Sequence, residues 1–447
     1  MPDTTLRRAE GLVLVAVLVS YVLVFVIRRL RSGRPGFRIG RPVAVGFGLR
    51  LLAVAAINAT SVQSQLRGGD EETFLSFARV LAATPCGRGF LPHGSFQLQT
   101  VAFAVQIKLA DLSPTALRVT QIGIAMLGLV LILAAVHDLA GARASRLAAW
   151  LLVLEPASIF FNSGLSKEPL MELATGLVVL GGTKIWQRLD LTGLFLCALG
   201  GLIAIETRSY AGWFLVSAAV LLTLHAALRR LDRPLRAMPI VYAVALIAFL
   251  ATPTLLSITS QASLQRLQQA QAFTTGTQAA GGNGGPNSDN LALEQVDFST
   301  RGAVVRNLPQ RVLDLVVRPY PWQLQDTSQR LGALGSLVAL AVFGLVLVYA
   351  WRSRGEVLAR TAPMLYPLLF LLVAYALSAG NAGTGFRYRT HLVVLAVAML
   401  VVLREHVLRS QTSPAPVSWS ESAPPGVKSG ERRDPADQRA LTPTRGE

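Results

Sequence analysis

A short acidic cluster lies between two long apolar segments near the start of the chain. Its residues are Asp70, Glu71 and Glu72, followed after one residue by Phe74. Carboxylates are costly close to a lipid bilayer and usually serve a function there. At the lipid–water boundary, such a group can act as general base for an acceptor hydroxyl or bind a divalent cation. An amphipathic helix starts at the cluster and would favour carboxylates at its N-terminus. Asp70 and Glu71 are therefore candidate catalytic residues, and the alternative is a solvated acidic loop.

A second group of residues could hold a phosphate or a sugar. Its members lie at predicted turns or span ends and are Lys167, Glu168, Arg208, Arg318, Tyr320, Trp322, Arg387 and Arg389. Arginine forms a natural fork for phosphate, and exposed aromatic rings can stack against a sugar. The alternatives are a surface ion pair for Lys167 and Glu168, a snorkelling side chain for Arg208, and interfacial anchors for the two rings.

The composition indicates which scaffold must position these residues. The chain has 447 residues, of which 52% are hydrophobic and 15% are charged. Soluble domains carry roughly 25% charged residues, and an apolar run of about 20 residues spans a bilayer as a helix. We therefore predict an all-α polytopic membrane protein with about 11 transmembrane helices. They fall near 11–27, 43–60, 114–136, 147–163, 169–186, 192–207, 211–228, 238–258, 332–350, 362–379 and 391–404.

The positive charge predicts the topology rather than nucleic-acid binding. The net charge is +17, and most arginines lie in short connections between apolar runs, such as 28–41. Because cytoplasmic loops are rich in Lys and Arg, these connections are predicted to be cytoplasmic. This topology places the N-terminus outside the cytoplasm. All the basic connections then lie on one side of the membrane, provided that the segment 96–110 does not cross it. The expected location is the inner or plasma membrane.

The predicted domain organisation is a membrane domain over 1–410 and a tail over 411–447. The tail is rich in Pro, Ser and charge and is predicted to be disordered in the cytoplasm. Two outer regions, 61–113 and 259–331, are large, and 73–83 and 96–110 are predicted to be helices at the outer membrane surface. The two cysteines show no metal-ligand spacing with histidine.

Three stretches together resemble a known superfamily. The first is Gly-Asp-Glu-x-x-aromatic-x-x-x-Ala over 69–78, with Phe in the place where Tyr is common. The second runs over 154–169, with a Pro-containing span, a small-residue turn and Lys-Glu, and the third is the Gly-x-Arg-Tyr turn within 380–389. The pattern is similar to that of GT-C glycosyltransferases, including the protein O-mannosyltransferase-like and lipid A sugar-transferase-like branches.

The resemblance implies an inverting enzyme that takes a sugar from a polyprenyl-phosphate donor on the extracytoplasmic face. The acceptor would be an envelope glycan, lipid or protein. The resemblance maps the catalytic base to Asp70 or Glu71, and no resident cofactor is implied beyond a possible role for a divalent cation. Two other functions stay open. An envelope polysaccharide polymerase or ligase would not need the two carboxylates, and a transporter or flippase would pair ionisable residues in mid-membrane, where Arg50 and Glu155 are the candidates.

Overall fold

The computed structural model describes residues 2–59, 70–84, 98–230, 301–320, 322, 327–379 and 382–412. Every long regular element in these ranges is an α-helix, and none of these residues forms a strand. The predicted span 238–258, most of the outer region 259–331 and the tail beyond 412 lie outside the described residues.

The helices are numbered here in chain order. They are α1 (Pro2–Ser32), α2 (Gly40–Ala59), α3 (Asp70–Ala83), α4 (Leu98–Ala110), α5 (Pro114–Ala140), α6 (Ala142–Val153), α7 (Pro156–Phe161), α8 (Glu168–Arg188), α9 (Leu191–Thr207), α10 (Ser209–Leu228), α11 (Arg301–Val317), α12 (Thr327–Ser353), α13 (Val357–Ser378) and α14 (Ala382–Thr412).

Seven of the described helices are long and apolar enough to cross a membrane. They lie within α1, α2, α5, α10, α12, α13 and α14. The described part of the chain is therefore an all-α polytopic membrane protein. The predicted span 169–186 corresponds to the more highly charged α8, and 192–207 corresponds to α9, which has 17 residues. The count of about 11 spans stays a prediction.

The predicted continuous helix over 147–163 is wrong. The structure divides it into α6 and α7, with the break at Leu154 and Glu155. Pro156 lacks a backbone N–H and disfavours helical geometry in the residue before it. Glu155 accordingly adopts an extended conformation, and its carboxylate accepts hydrogen bonds from the backbone N–H groups of Ala157 and Ser158. A buried acidic side chain thus caps a short helix inside the bundle.

Helix α8 is central to the bundle and packs against α5, α9, α10 and α13. Its contact with α5 depends on two glycines, Gly128 and Gly176. A methyl group at Gly128 would lie 2.5 Å from the carbonyl oxygen of Glu172. Small residues allow this kind of backbone contact between membrane helices. The two glycines therefore fix how closely the N-terminal half of α8 approaches α5.

The basic connections meet at one end of the bundle. Arg34 donates to both carboxylate oxygens of Asp138 at 2.7 and 2.6 Å, and Gln187 donates to the Asp138 carbonyl at 2.8 Å. Trp186 donates to the carbonyl of Ala359 at 2.9 Å, and α10 also ends beside this ring. The connections after α1, α5, α8, α10 and α12 therefore share an end, as the positive-inside rule predicts.

Helices α3 and α4 form a separate pair near the opposite end. They have 14 and 13 residues, so each is only about 20 Å long and shorter than the hydrocarbon core. Phe103 and Ala78, one from each helix, join Leu117 and Leu165 in a small buried cluster. The helical character predicted for 73–83 is confirmed, and that predicted for 96–110 is confirmed from Leu98 onward, while residues 96 and 97 lie outside the described residues. The cluster attaches this pair to the start of α5 and to the turn before α8.

Candidate functional site

Glu71 lies at the first turn of α3 and is buried against the start of α5. Its carboxylate forms an ion pair with Arg118 at 3.0 Å and accepts a hydrogen bond from the backbone N–H of Leu165. Arg118 also donates to Asn58 near the end of α2. The predicted acidic residue therefore connects four parts of the chain, and both of its oxygens have donors in this arrangement.

Asp70 is the first residue of α3, and its side chain lies outside the described residues. Its neighbour in the motif, Phe74, is half-buried one turn further along the helix. The ammonium of Lys167 lies 5.4 Å from the centre of the Phe74 ring, a cation–π geometry. The start of α3 and the turn before α8 are therefore adjacent, as the candidate roles of Asp70 and Lys167 require.

Glu168 and Arg208 form the second buried ion pair of the site. Their side chains are 2.5 Å apart, with exposed fractions of 0% and 8%. Arg387 adds a further favourable electrostatic interaction with the Glu168 carboxylate. Because Lys167 and Glu168 are consecutive, this pair lies next to the contact between Lys167 and Phe74. Two acidic and four basic residues from α3, α5, the turn before α8, the α9–α10 junction and α14 therefore gather at one end of the bundle.

A buried group of aromatic rings supports the second ion pair. The guanidinium of Arg208 lies 4.6 Å from the centre of the Tyr388 ring, which stacks on Tyr375 at 4.5 Å. The hydroxyl of Tyr388 also contacts that of Tyr210. His391 bridges the Tyr375 hydroxyl and the carbonyl of Glu168, at 3.2 Å on each side. The rings hold Arg208 in place and connect α8, α10, α13 and α14.

Arg389 points into a different environment from Arg387. Its Nη1 donates to the carbonyl oxygens of Val316 and Arg318 at 3.0 and 2.9 Å, and to the hydroxyl of Ser336 at 2.8 Å. Arg389 is 3% exposed, and this buried contact supplies donors to carbonyls at the end of α11, where the Arg318 carbonyl also accepts from Ser336 at 2.7 Å. The side chain joins α14 to α11 and α12.

The predicted aromatic platform follows α11. Asp314 accepts hydrogen bonds from Arg318 at 3.2 Å and from the Tyr320 hydroxyl at 2.8 Å. Burial raises the pKa of Tyr320, and the carboxylate of Asp314 raises it further. Trp322 stacks on Tyr320 with ring centres 4.8 Å apart and is 74% exposed. The platform therefore presents one open face of the Trp322 indole. The other face stacks on Tyr320, which the buried carboxylate of Asp314 holds in place.

A third polar group lies between α2, α7 and α8. Arg50 donates to Ser158 at 2.8 Å, and Asn162 donates to Ser158 at 3.0 Å and to Glu172 at 3.3 Å. Arg50 also donates to the Val153 carbonyl, at the break after α6. Arg50 and Glu155 both face the protein interior, with exposed fractions of 0% and 4%.

Several residues of the site were missed by sequence reasoning. Arg118 is the one charged residue of the predicted span 114–136, and Glu172 is the one acidic residue of the predicted span 169–186, and that signal could have found them. The role of His391 had no signal in the sequence. Among the described residues, no group of three or more His, Cys, Asp or Glu side chains is arranged to hold a metal ion.

Comparisons with known proteins do not add a family. No family model, curated protein or solved structure matches this chain. The function is therefore inferred from the residues of the site and from the fold.

Proposed function

We propose that the chain is an integral membrane glycosyltransferase of GT-C type. It would take a sugar from a polyprenyl-phosphate donor and transfer it to an envelope glycan, lipid or protein. The reaction would occur at the end of the bundle opposite the basic connections, which is the extracytoplasmic face in the predicted topology.

One observation carries this proposal: acidic and basic residues far apart in the sequence gather at one end of the bundle. Glu71 contacts the turn before α8, and the next residues of that turn lead to Lys167 and to the ion pair of Glu168 with Arg208. A carboxylate-bearing helix start thus lies beside a cluster of cations. An acid that accepts a proton and cations that stabilise a phosphate leaving group are the two parts required.

Of the two candidate bases, Asp70 fits the catalytic role better. Both oxygens of Glu71 accept hydrogen bonds, from Arg118 and Leu165, so this carboxylate is engaged in holding α3. Asp70 would take the proton of the acceptor hydroxyl while the hydroxyl oxygen attacks the anomeric carbon of the sugar. The bond from that carbon to the phosphate oxygen breaks, and polyprenyl phosphate leaves with the bonding electrons. Attack from the face opposite the phosphate inverts the anomeric centre.

The cations would bind the phosphate of the donor. Arg387 is the best placed, since its charge acts on Glu168 and its guanidinium can fork onto two phosphate oxygens. Lys167 would contribute a point charge. Arg208 contributes to the local field while its guanidinium stays on Glu168 and Tyr388. The acceptor would stack on the exposed face of Trp322, supported by Tyr320 and Arg318.

The test is a lipid-linked-sugar and envelope-glycan profile of a deletion strain. The strain is complemented with the wild type, with Asp70→Asn or with the matched Glu72→Gln variant. We expect the deletion to lose one envelope sugar and to accumulate its polyprenyl-phosphate donor, with restoration by the wild type and by Glu72→Gln only. Full restoration by Asp70→Asn would contradict the proposed base and favour a polymerase or ligase.

The buried group around Arg50 supports a second candidate function, a transporter. Arg50, Glu155 and Glu172 are ionisable side chains deep in the bundle, where charges often mark a transport pathway. A transporter would lose its activity in Glu172→Gln and retain it in Asp70→Asn. The glycosyltransferase predicts the reverse ranking, with Asp70→Asn the more damaging change in a sugar-transfer assay.

A further inference from the structure

Two buried glutamines, Gln99 on α4 and Gln121 on α5, lack hydrogen-bond partners. Both are 0% exposed, and neither the amide nitrogen nor the amide oxygen of either side chain has a partner in the structure as described. Leaving a buried polar group unsatisfied is costly, and nearly all such groups in native proteins are paired. Four unpaired amide atoms on two helices therefore need a physical explanation.

Both glutamines border the cluster that attaches α3 and α4 to the bundle. Gln99 precedes Phe103 by one helical turn, and Gln121 follows Leu117 by one turn. Residues four apart lie on the same face of a helix. Phe103 and Leu117 belong to one cluster with Leu165, whose backbone N–H binds Glu71. The two amides therefore each lie one helical turn from the same buried cluster, on two different helices.

The chemistry of an amide selects a particular kind of ligand. Each side chain offers N–H donors and a carbonyl acceptor without charge. A sugar hydroxyl also donates and accepts, so it can satisfy both atoms of an amide. A phosphate only accepts when ionised, and the cations around Glu168 suit it better. The pair therefore matches the polyhydroxylated part of a substrate.

We propose that Gln99 and Gln121 bind hydroxyl groups of the transferred sugar and set its identity. This inference rests on the proposed glycosyltransferase function. Because both amides are enclosed, the sugar enters by a local movement of α4 relative to the start of α5, which leaves the Glu71–Arg118 pair of α3 intact. The unpaired amides then form their hydrogen bonds only in the complex.

The first test is the thermal stability of the ligand-free, purified protein. If the amides are unpaired, Gln121→Leu and Gln99→Leu remove an unsatisfied group and raise the unfolding temperature by roughly 1–3 °C. The matched control is Gln106→Leu on α4, whose amide donates to the Ala102 carbonyl at 3.0 Å and should not gain stability. A lower unfolding temperature for both test variants would overturn the proposal.

The second test is sugar selection by the same variants. With a panel of polyprenyl-phosphate sugars, Gln121→Leu should lower kcat/KM for the preferred sugar about tenfold or more and narrow its advantage over an analogue lacking one hydroxyl. Gln106→Leu should keep the wild-type ranking. An unchanged ranking in both test variants would overturn the inference alone. A wild type that transfers no sugar of the panel would instead overturn the proposed function.

Discussion

Glu71 and Arg118, which are 47 positions apart, form an ion pair of 3.0 Å with side chains only 6% and 7% exposed. The free-energy cost of removing two charges from water offsets much of their mutual attraction, so such a pair adds little net stability. It specifies geometry instead, because either charge left alone would be buried without compensation. The pair fixes the first turn of α3 against α5 and thereby sets where Asp70 begins the helix.

Removing one partner of this ion pair should therefore lower the stability of the protein far more than removing both partners. We expect Glu71→Ala to lower the free energy of unfolding by about 3–5 kcal/mol, because Arg118 then stays buried and uncompensated. Unfolding in detergent with a denaturant measures this loss. The exposed neighbour is the matched control, and Glu72→Ala should change stability by less than about 0.5 kcal/mol. An equal loss when Arg118→Met is combined with Glu71→Leu would contradict the account.

The close approach of α5 and α8 makes Gly176 sensitive to any side chain. In Gly176→Leu, the new side chain would clash with the backbone of Gly128. This substitution should destabilise the protein by about 1–3 kcal/mol or more. Gly344 on α12 is the control, since nothing lies within 4 Å of a methyl group built there. Thermal unfolding of the two Leu variants measures the difference. Equal unfolding temperatures would show that the two backbones are not in contact.

Arg387 should be essential for transfer and dispensable for folding. Arg387→Gln removes a proposed phosphate ligand and should lower kcat/KM roughly 10²–10³-fold, a typical loss for one preorganised donor to a developing anion. Arg404→Gln on the same helix, near the opposite end of the bundle, serves as the control and should retain activity. Steady-state sugar transfer measures both. A normal rate in Arg387→Gln would remove this residue from the mechanism.

Trp322 should contribute to binding of the acceptor and not to binding of the donor. Loss of one stacking ring is worth about 0.5–1.5 kcal/mol, so Trp322→Ala should raise the acceptor KM by roughly two- to tenfold. Trp351 on α12 is equally exposed, 76% against 74%, and lies near the basic end. Trp351→Ala should therefore leave the acceptor KM unchanged. A raised donor KM in Trp322→Ala would contradict the assignment.

The apolar spans of this fold could be predicted because bilayer thickness fixes their length and composition. The break between α6 and α7 could also have been predicted from Pro156, which disfavours helical geometry in the residue before it. It was missed because the apolar residues on both sides were interpreted as one continuous span over 147–163. Arg118 shows the same effect, since one charge in a long apolar segment was overlooked. The role of Arg118 becomes clear only when its ion-pair partner, Glu71, is known.

The partners themselves could not be predicted. Glu71 with Arg118, and Glu168 with Arg208, pair across large sequence separations that no periodicity records. Arg387 and Arg389 are two residues apart on one helix, yet their side chains have different partners. Arg387 acts on Glu168, whereas Arg389 donates to Val316, Arg318 and Ser336, because residues two apart point about 200° from each other around a helix. The candidate site could thus be predicted as a set of residue types, and the fold decides which of them meet.

The most direct test of the central claim is sugar transfer by the purified protein in lipid, with a polyprenyl-phosphate sugar and measurement of released polyprenyl phosphate. The account predicts release by the wild type and by Glu72→Gln, and a loss of roughly 10²–10⁴-fold in Asp70→Asn, the range for removal of a general base. Release at the wild-type rate by Asp70→Asn would contradict it.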